Sequence, residues 1–335
     1  MSDRRADESG GSAGGSGDET LGEVGEFGLI DRIARGAAQG PAVLLGPGDD
    51  AAVIRAPDGR VVASTDLLLE GRHFRTDWST AYQVGRKAAA QNLADIAAMG
   101  AVPTALLVGL AAPARLPVSW ARQLAAGLAD ECALVGASVA GGDTTRGETI
   151  VIAATALGDL HGRAPVTRAG AHPGDRVAIA GELGWSACGH ELLARGLDEP
   201  CKALDRHRAP QPPYAQGPAA ARAGASAMID VSDGLLADLG HIARESDVGI
   251  DLEPAAFEIP AQLRAAAERL GLDPLGWILT GGEDHALAAC YPADDVPQGW
   301  TVVGTVTKRS DDQAAPRVTV AGKAWSGSQG WDHFA

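Results

Sequence analysis

Five short segments concentrate carboxylates among glycine, serine and threonine: GPGDDAA (46–52), STD (64–66), GGDTT (141–145), IDVSDG (229–234) and GGEDH (281–285). Glycine lets a backbone turn sharply and approach a ligand closely. Aspartate and glutamate supply hard oxygen ligands of the kind Mg²⁺ takes, together with waters and substrate phosphates. The chemistry these residues suit is the handling of metal-bound phosphates at a site assembled from distant stretches of chain. Each segment alone has a plainer reading that stays open. Asp49 and Asp50 can be solvated turn acids. Ser64, Thr65 and Asp66 can form a cap or a turn. GGDTT can be a simple β-turn, and His285 can be a structural histidine.

One further stretch adds to the acidic set. In VGRKAAAQNLADIAAMGA (84–101) alanine, leucine, isoleucine and valine dominate, which implies burial, yet Asn92 and Asp95 share a helix face. Buried carboxylates are rare unless paired or metal-bound. Lys87 lies two turns before Asp95, so a structural ion pair is the alternative. In IDVSDG, Asp230, Ser232 and Asp233 sit where a strand passes into a helix, and capping explains one of the two acids but not both. GGDTTRG offers backbone N–H groups, hydroxyls and the Arg146 guanidinium, all suited to phosphate.

The elements that must position these residues are legible as alternating apolar runs. An amphipathic helix is expected from about Glu26, ending at Gly36. Strands are expected at 51–54, 60–64, 104–111, 138–141 and 149–158, with helices at about 79–99 and 118–135 between them. The Pro/Gly/Arg stretch 161–175 reads as a linker. Beyond it come strands at 176–181, 226–230, 248–253, 285–291 and 300–306. Helices are expected there at about 185–195, 214–224, 234–246 and 260–270, with a long loop over 198–218. The organisation expected is a disordered tail (1–20), an N-terminal domain (21–165) and a C-terminal domain (166–335).

Composition bounds the function. The chain has 335 residues, enough for two cores. Its net charge of −15 argues against nucleic acid or an anionic membrane as the main partner. Bound cations can still bring phosphates to it. The four cysteines have no CxxC or zinc-ribbon spacing and read as reduced thiols. With no apolar stretch near ~20 residues and no apolar core in the first twenty, a cytoplasmic location is the expectation. There is no GxxxxGK[ST], no HExxH and no GxSxG elbow following a strand, which excludes a P-loop, a zincin or a nucleophile-elbow enzyme.

Taken in order, GEFGLI, GPGDDAA, STDLLLEGRHF, NLADIAAMGA, GGDTTRG, GRAPVTRAGAHPGD, IDVSDGLLADLGHI and LTGGEDH resemble the thiamine-monophosphate kinase family, over nearly all of Glu23 to Phe334. The resemblance implies an α+β, two-domain fold like that of aminoimidazole ribonucleotide synthetase. In that fold an N-terminal mixed sheet forms a barrel in a homodimer, and the C-terminal half is an α/β sandwich. It implies Mg²⁺-dependent in-line transfer of the ATP γ-phosphoryl group to thiamine monophosphate, with no discrete acid or base. By the family's motifs, Asp50, Ser64, Thr65, Asp66, Asp95, Asp143, Asp230 and Asp233 would form the metal shell. Gly142, Asp143, Arg168 and Ser232 would meet ATP, and His73, Glu283 and Trp331 the thiamine moiety. Ordinary packing is the alternative for Trp331. His285 stands where the family usually has tyrosine. A synthetase of the same superfamily is the runner-up, and a non-catalytic Mg–nucleotide sensor is the reading from another class.

Overall fold

The computed structural model of the chain describes residues 19–34, 38–47, 51–199, 201–293, 295–310, 317–327 and 330–331. Asp50 and most of the expected tail lie outside the described residues. The first helix, α1 (Leu21–Ala34), begins earlier than expected and is interrupted at Gly25, whose φ of 67° breaks the helical path. A short pair, β1 (Val43–Leu45) and β2 (Val53–Ile54), follows.

The N-terminal sheet is built from β3 (Val62–Leu69), β4 (Val102–Ala112), β5 (Ser138–Arg146) and β6 (Val151–Asp159), in the order β3-β6-β4-β5. Two helices, α2 (Ala81–Ala98) and α3 (Val118–Ala133), cover one face. Leu68, Leu106, Ile152 and Ala154 of the sheet pack there against Leu93, Ile96, Leu124 and Leu128. A capping box between Thr80 and Gln83 starts α2 and satisfies donors the first turn leaves open. The small residues of α2 serve its contact with α3. A Cβ on Gly85 would lie 2.2 Å from the Leu124 carbonyl oxygen, and one on Gly127 would lie 2.0 Å from that of Tyr82. The two helix backbones therefore touch.

Two of the acidic segments differ from expectation. STD is the middle of β3, and GGDTTR continues β5 to its end, so neither is a turn. Their alternation matters more than their turn composition. Ser64 and Asp66 face α2 while Thr65 and Leu67 face the other way, as the period of two requires.

The C-terminal sheet runs β12-β9-β11-β7-β10-β8. Its strands are β7 (Arg176–Ala180), β8 (Ala227–Asp230), β9 (Val248–Leu252), β10 (Leu287–Tyr291), β11 (Thr301–Lys308) and β12 (Val318–Val320). All pairings are antiparallel except β12 with β9. The helices are α4 (Trp185–Ala194), α5 (Lys202–Arg208), α6 (Gln216–Arg222), α7 (Leu235–Glu245), α8 (Ala261–Leu270) and α9 (Pro274–Thr280). Residues of α7 and α9 bury one sheet face. On the other face Met228, Leu287 and Tyr291 meet Ala220 of α6 and Ala98 of α2. The stretch expected to be one long loop, 198–218, holds α5 and the start of α6. Pro210, Pro212 and Pro213 fall between them, and His207 and Leu204 are buried. Helix α2 thus packs against both sheets, and a Cβ on Gly217 of α6 would lie 2.0 Å from the Ala97 carbonyl oxygen.

Candidate active site

A cleft of about 930 Å³ opens between the two sheets, with α2 along its wall. From the N-terminal side β3 contributes Ser64 and Asp66, and α2 contributes Gln91 and Asp95. The Ser64 hydroxyl donates to Asp95 at 2.6 Å. From the C-terminal side β8 ends on Asp230, and the turn after it supplies Ser232 and Asp233. Burial, then the nearby Asp230 and Asp66, push the Asp95 carboxyl up to about 7. Asp66 is raised as well, chiefly by burial, with Asp230 adding to the effect. Asp230 thus adds to burial in disfavouring the charge of both Asp66 and Asp95.

That crowding is the test of whether a cation fits. A divalent ion among Asp66, Asp95 and Asp230 would turn mutual repulsion into attraction. Among the described residues no three Asp, Glu, His or Cys side chains form a ready cage. This suits an ion that relies on waters and ligand phosphates for the rest of its shell.

The turn after β8 is organised by a residue that inspection of the motif misses. Asp238, in the first turn of α7, accepts from the backbone N–H groups of Ser232, Asp233 and Gly234 at 3.0, 3.1 and 3.1 Å. Asp238 is therefore the cap, and neither Asp230 nor Asp233 is needed for it. Burial, with Asp230 and Asp233 nearby, pushes its own carboxyl up to about 8. The signal was the acid four residues past Gly234, a capping position within the first turn.

His285 and Glu283 follow a glycine pair that the turn demands, since a Cβ on Gly282 would lie 2.5 Å from the Ser232 carbonyl oxygen. Glu283 and His285 have φ of 62° and 53°, in the left-handed region. Residues held there cost about 1–3 kcal/mol each and concentrate at functional sites. His285 Nδ1 lies 3.1 Å from Asp230. Burial is the strongest single influence and opposes its charge, but the bond to Asp230 together with the charges of Asp230, Asp95 and Glu283 raises the imidazole above its usual value. Asp284 points away into the protein, where it accepts from the N–H groups of Gly184 and Ser186 at the start of α4.

Glu283 meets Lys87 Nζ at 3.0 Å and His207 Nδ1 at 3.5 Å. Burial alone would raise its carboxyl, yet the Lys87 ammonium, helped by His207, holds it down at about 2. Lys87 is 2% exposed and also donates to the His73 carbonyl at 2.9 Å. Its partner is thus Glu283 rather than Asp95, the alternative that the spacing left open. His73 Nδ1 accepts from the Leu69 N–H at 3.0 Å, which leaves Nε2 as its donor. Arg168 and Trp331 also line the cleft. Trp331 is 57% exposed and is anchored by its N–H donating to the Asp233 carbonyl at 2.9 Å.

Three expected site residues are not brought into this cleft. The Thr65 hydroxyl lies on the opposite sheet face, donating to the Ala154 carbonyl and accepting from Thr155. Gly142 and Asp143 are on β5, the far edge of the sheet from β3, about 14 Å away at about 4.8 Å per strand. Register pairs Asp143 with Gly109, Gly109 with Ala153 and Ala153 with Leu67, which puts Asp143 on the same face as Thr65. Four rings in the cleft wall, Trp78, His190, His207 and Trp277, went unnoticed in the sequence. They come from four separate segments with no shared spacing.

Residues 48–160 match the family described as "AIR synthase related protein, N-terminal domain". A thiamine-monophosphate kinase of Mycobacterium tuberculosis (strain CDC 1551 / Oshkosh) is 52% identical over 94% of this chain and 93% of its own length. The crystal structure of thiamine-monophosphate kinase from Stenotrophomonas maltophilia K279a superposes with a TM-score of 0.77 at 32% identity. It covers 89% of this chain and 96% of that one. A structure described as "AaThiL complexed with AMPPCP and TMP" gives a TM-score of 0.77 at 31% identity, covering 93% and 98%.

Proposed function

This chain belongs to the thiamine-monophosphate kinase family, and from that membership and its cleft we propose that it transfers the γ-phosphoryl group of ATP to thiamine monophosphate, giving thiamine diphosphate and ADP. The observation that carries the reading is the cluster of Asp66, Asp95 and Asp230, drawn from both sheets and the helix between them, where burial and then the neighbouring carboxylates lift the Asp95 carboxyl to about 7.

Asp66, Asp95, Asp230 and Asp233 would hold Mg²⁺, with Ser64 orienting Asp95 and Asp50 a further member. Bound there, the ions would supply charge neutralisation between two phosphate chains that otherwise repel. The remaining work is positioning. Arg168 and Ser232 meet the nucleotide. His73, Glu283 and Trp331 receive the thiamine moiety. The attacking atom is a phosphate oxygen that carries no proton needing removal, so no side chain has to serve as a base. The γ-phosphorus bond to the β–γ bridging oxygen breaks as the bond to the acceptor oxygen forms, and ADP leaves with that electron pair.

The reading includes a homodimer in the cytoplasm, with residues 21–165 and 166–335 as its two domains. The face of the N-terminal sheet opposite α2 and α3, which the β1–β2 pair covers only in part, supports the dimer. Leu67 there is 56% exposed, and Val61 and the nearby Leu44 of β1 are exposed as well. Asp143 and Thr65 belong to that face, so a second copy lying on it brings them into a site shared between subunits. Among the described residues no helix is long and apolar enough to cross a membrane.

The test is purified protein with Mg²⁺, ATP and thiamine monophosphate, assayed for thiamine diphosphate. No product at ample Mg²⁺ overturns the proposal. ATP cleavage without phosphate on the acceptor points to a synthetase or an ATPase, and binding without turnover points to a sensor.

A further inference from the structure

Helix α2 and strand β3 lie against each other and run in opposite directions. At one end of their contact the Ser64 hydroxyl donates to Asp95 at 2.6 Å. At the other end Lys87 Nζ donates at 2.9 Å to the carbonyl of His73, in the chain just beyond β3. Between these two rungs the steps of strand and helix match. Two residues along a strand advance about 6.6 Å, and four along a helix advance about 6 Å. The next residue after Ser64 on the same face of β3 is Asp66, and one turn back from Asp95 on α2 is Gln91. Gln91 therefore stands opposite Asp66, and both line the cleft. Its side chain is a hydrogen-bond partner of the Asp66 carboxylate.

We propose that Gln91 is a positioning residue for the divalent cation, its amide N–H fixing the Asp66 carboxylate that ligates the ion. This deepens the kinase reading and rests on it, and it adds a residue that lies outside every acidic segment.

An ionised carboxylate only accepts hydrogen bonds, so the amide must turn its NH₂ group toward Asp66. The other neighbours of Asp66 cannot take over that task. Asp95 and Asp230 are carboxylates themselves, and carboxylates that share a cation can only accept. The Ser64 hydroxyl is already given to Asp95, and His285 Nδ1 is engaged with Asp230 at 3.1 Å. An amide carries no charge, so it donates to Asp66 with the ion present or absent and repels no cation. The frame around the pair is stiff. Asp66 is in register with Ala154 in the middle of β3, so the sheet sets its backbone and only its side-chain torsions stay free. Helix α2, which carries Gln91, is held by backbone contact with α3. One hydrogen bond from that helix removes the freedom that the sheet leaves to Asp66.

The experiment uses Mn²⁺ as the probe, since it takes the same oxygen ligands as Mg²⁺. Its binding is followed by electron paramagnetic resonance with ADP present, which supplies phosphates without turnover. Wild type, Gln91→Met, Asp66→Asn and the double variant are compared. Methionine keeps the length of the side chain and removes the donor. The dissociation constant for Mn²⁺ should rise about ten- to a hundredfold in Gln91→Met, the range for loss of a partner that orients a metal ligand. The free Mg²⁺ needed for half-maximal rate should rise by the same factor. In the Asp66→Asn background the same substitution should change Mn²⁺ binding by less than about twofold, because the group it acts through is gone. The melting temperature without metal should fall by no more than about 3 °C, as for one hydrogen bond.

An unchanged Mn²⁺ affinity in Gln91→Met overturns the proposal. A loss that recurs in full in the Asp66→Asn background assigns Gln91 to the ion itself and overturns it. A much larger fall in metal-free melting temperature makes the residue structural and overturns it too. Should Gln91→Met not fold, Gln91→Asn, which withdraws the amide by one methylene, is read in the same way. If the wild type binds Mn²⁺ but makes no thiamine diphosphate, the kinase reading fails alone and the Mn²⁺ comparison still decides the role of Gln91. If the wild type binds no Mn²⁺, the metal site fails and the proposal with it.

Discussion

Replacing Lys87 by methionine removes one buried charge from behind Glu283 while nearly keeping its volume, so the effect reads electrostatics rather than a cavity. Lys87 is 2% exposed, and its ammonium holds both Glu283, at 3.0 Å, and the carbonyl of His73, at 2.9 Å. The Glu283 carboxyl lies at about 2 against an ordinary 4.5, with Lys87 the main cause of the lowering. At about 1.4 kcal/mol per tenfold that gap is worth roughly 3 kcal/mol. The Glu283 side chain keeps 33% of its surface open to the cleft, and screening there reduces the figure to about 2 kcal/mol. A loss of this size lowers the melting temperature by on the order of 5 °C.

The sign with pH follows from a depressed carboxyl. Its stabilisation is fully present above pH 4.5 and is lost as pH falls toward 2, so the gap between variant and parent should narrow over that window. In the assay the KM for thiamine monophosphate should rise about tenfold, the equivalent of about 1.4 kcal/mol lost in acceptor binding. KM for ATP should be unchanged. Equal melting temperatures at pH 7 together with an unchanged acceptor KM would refute the argument that Lys87 fixes Glu283.

Four other outcomes follow from the geometry. Asp66→Asn and Asp143→Asn should each lower turnover by roughly a hundredfold or more, as loss of metal-borne charge stabilisation requires, with far-UV circular dichroism unchanged. Normal turnover in either variant removes that residue from the metal shell. The carboxyls of Asp95 and Asp238, at about 7 and about 8, hold protons that the unfolded chain releases near 4. Their contribution to stability is therefore present at low pH and lost as pH rises through those values. The melting temperature of metal-free protein should fall across that range, and Mg²⁺ should restore more of it at about pH 8 than at about pH 6 because metal and protons compete for the same oxygens. Gly127→Ala pushes a methyl against the Tyr82 carbonyl and should cost about 1–3 kcal/mol in denaturant unfolding. Leu67→Glu places a charge on the sheet face opposite α2 and α3, and sedimentation should show monomers where the parent sediments as a dimer.

Most of this fold was legible because its elements have clean periods. Helix α2 was marked by its apolar stripe and by Gly100, and the alternation of β6 gave its strand directly. The stretch 198–218 misled because three prolines in quick succession outweigh seven helical residues, and α5 is held by Leu204 and His207 packing inward rather than by its own periodicity. GGDTTR has turn composition, but pairing with β4 overrides it. A Cβ on Gly142 would lie 2.0 Å from the Val108 carbonyl oxygen, so glycine there serves close strand packing.

At the site, Asp66, Asp95, Asp230, Asp233 and Glu283 stood out as acids beside glycine or inside apolar sequence. Strand parity separated Thr65 from Asp66, and it could have been read from the alternation had STD been placed within a strand. Lys87 carried a signal too, as one of only four lysines and one set in an alanine-rich helix. The rings of the cleft wall carried none, since only the folded arrangement of four segments puts them together.

Lys87, Gln91 and Asp95 are four residues apart along α2, so they form one line on the helix; Gln91 and Asp95 line the cleft, and Lys87 lies buried against Glu283, which lines it too. At about 1.5 Å per residue, the anchor for the acceptor and the carboxylate among the phosphates are separated by about 12 Å of continuous helix. That helix is locked against α3 by backbone contact and cannot stretch. α2 therefore acts as a gauge block. An acceptor whose phosphate hangs too near its rings, or too far from them, is rejected by length alone, whatever its affinity for the cleft.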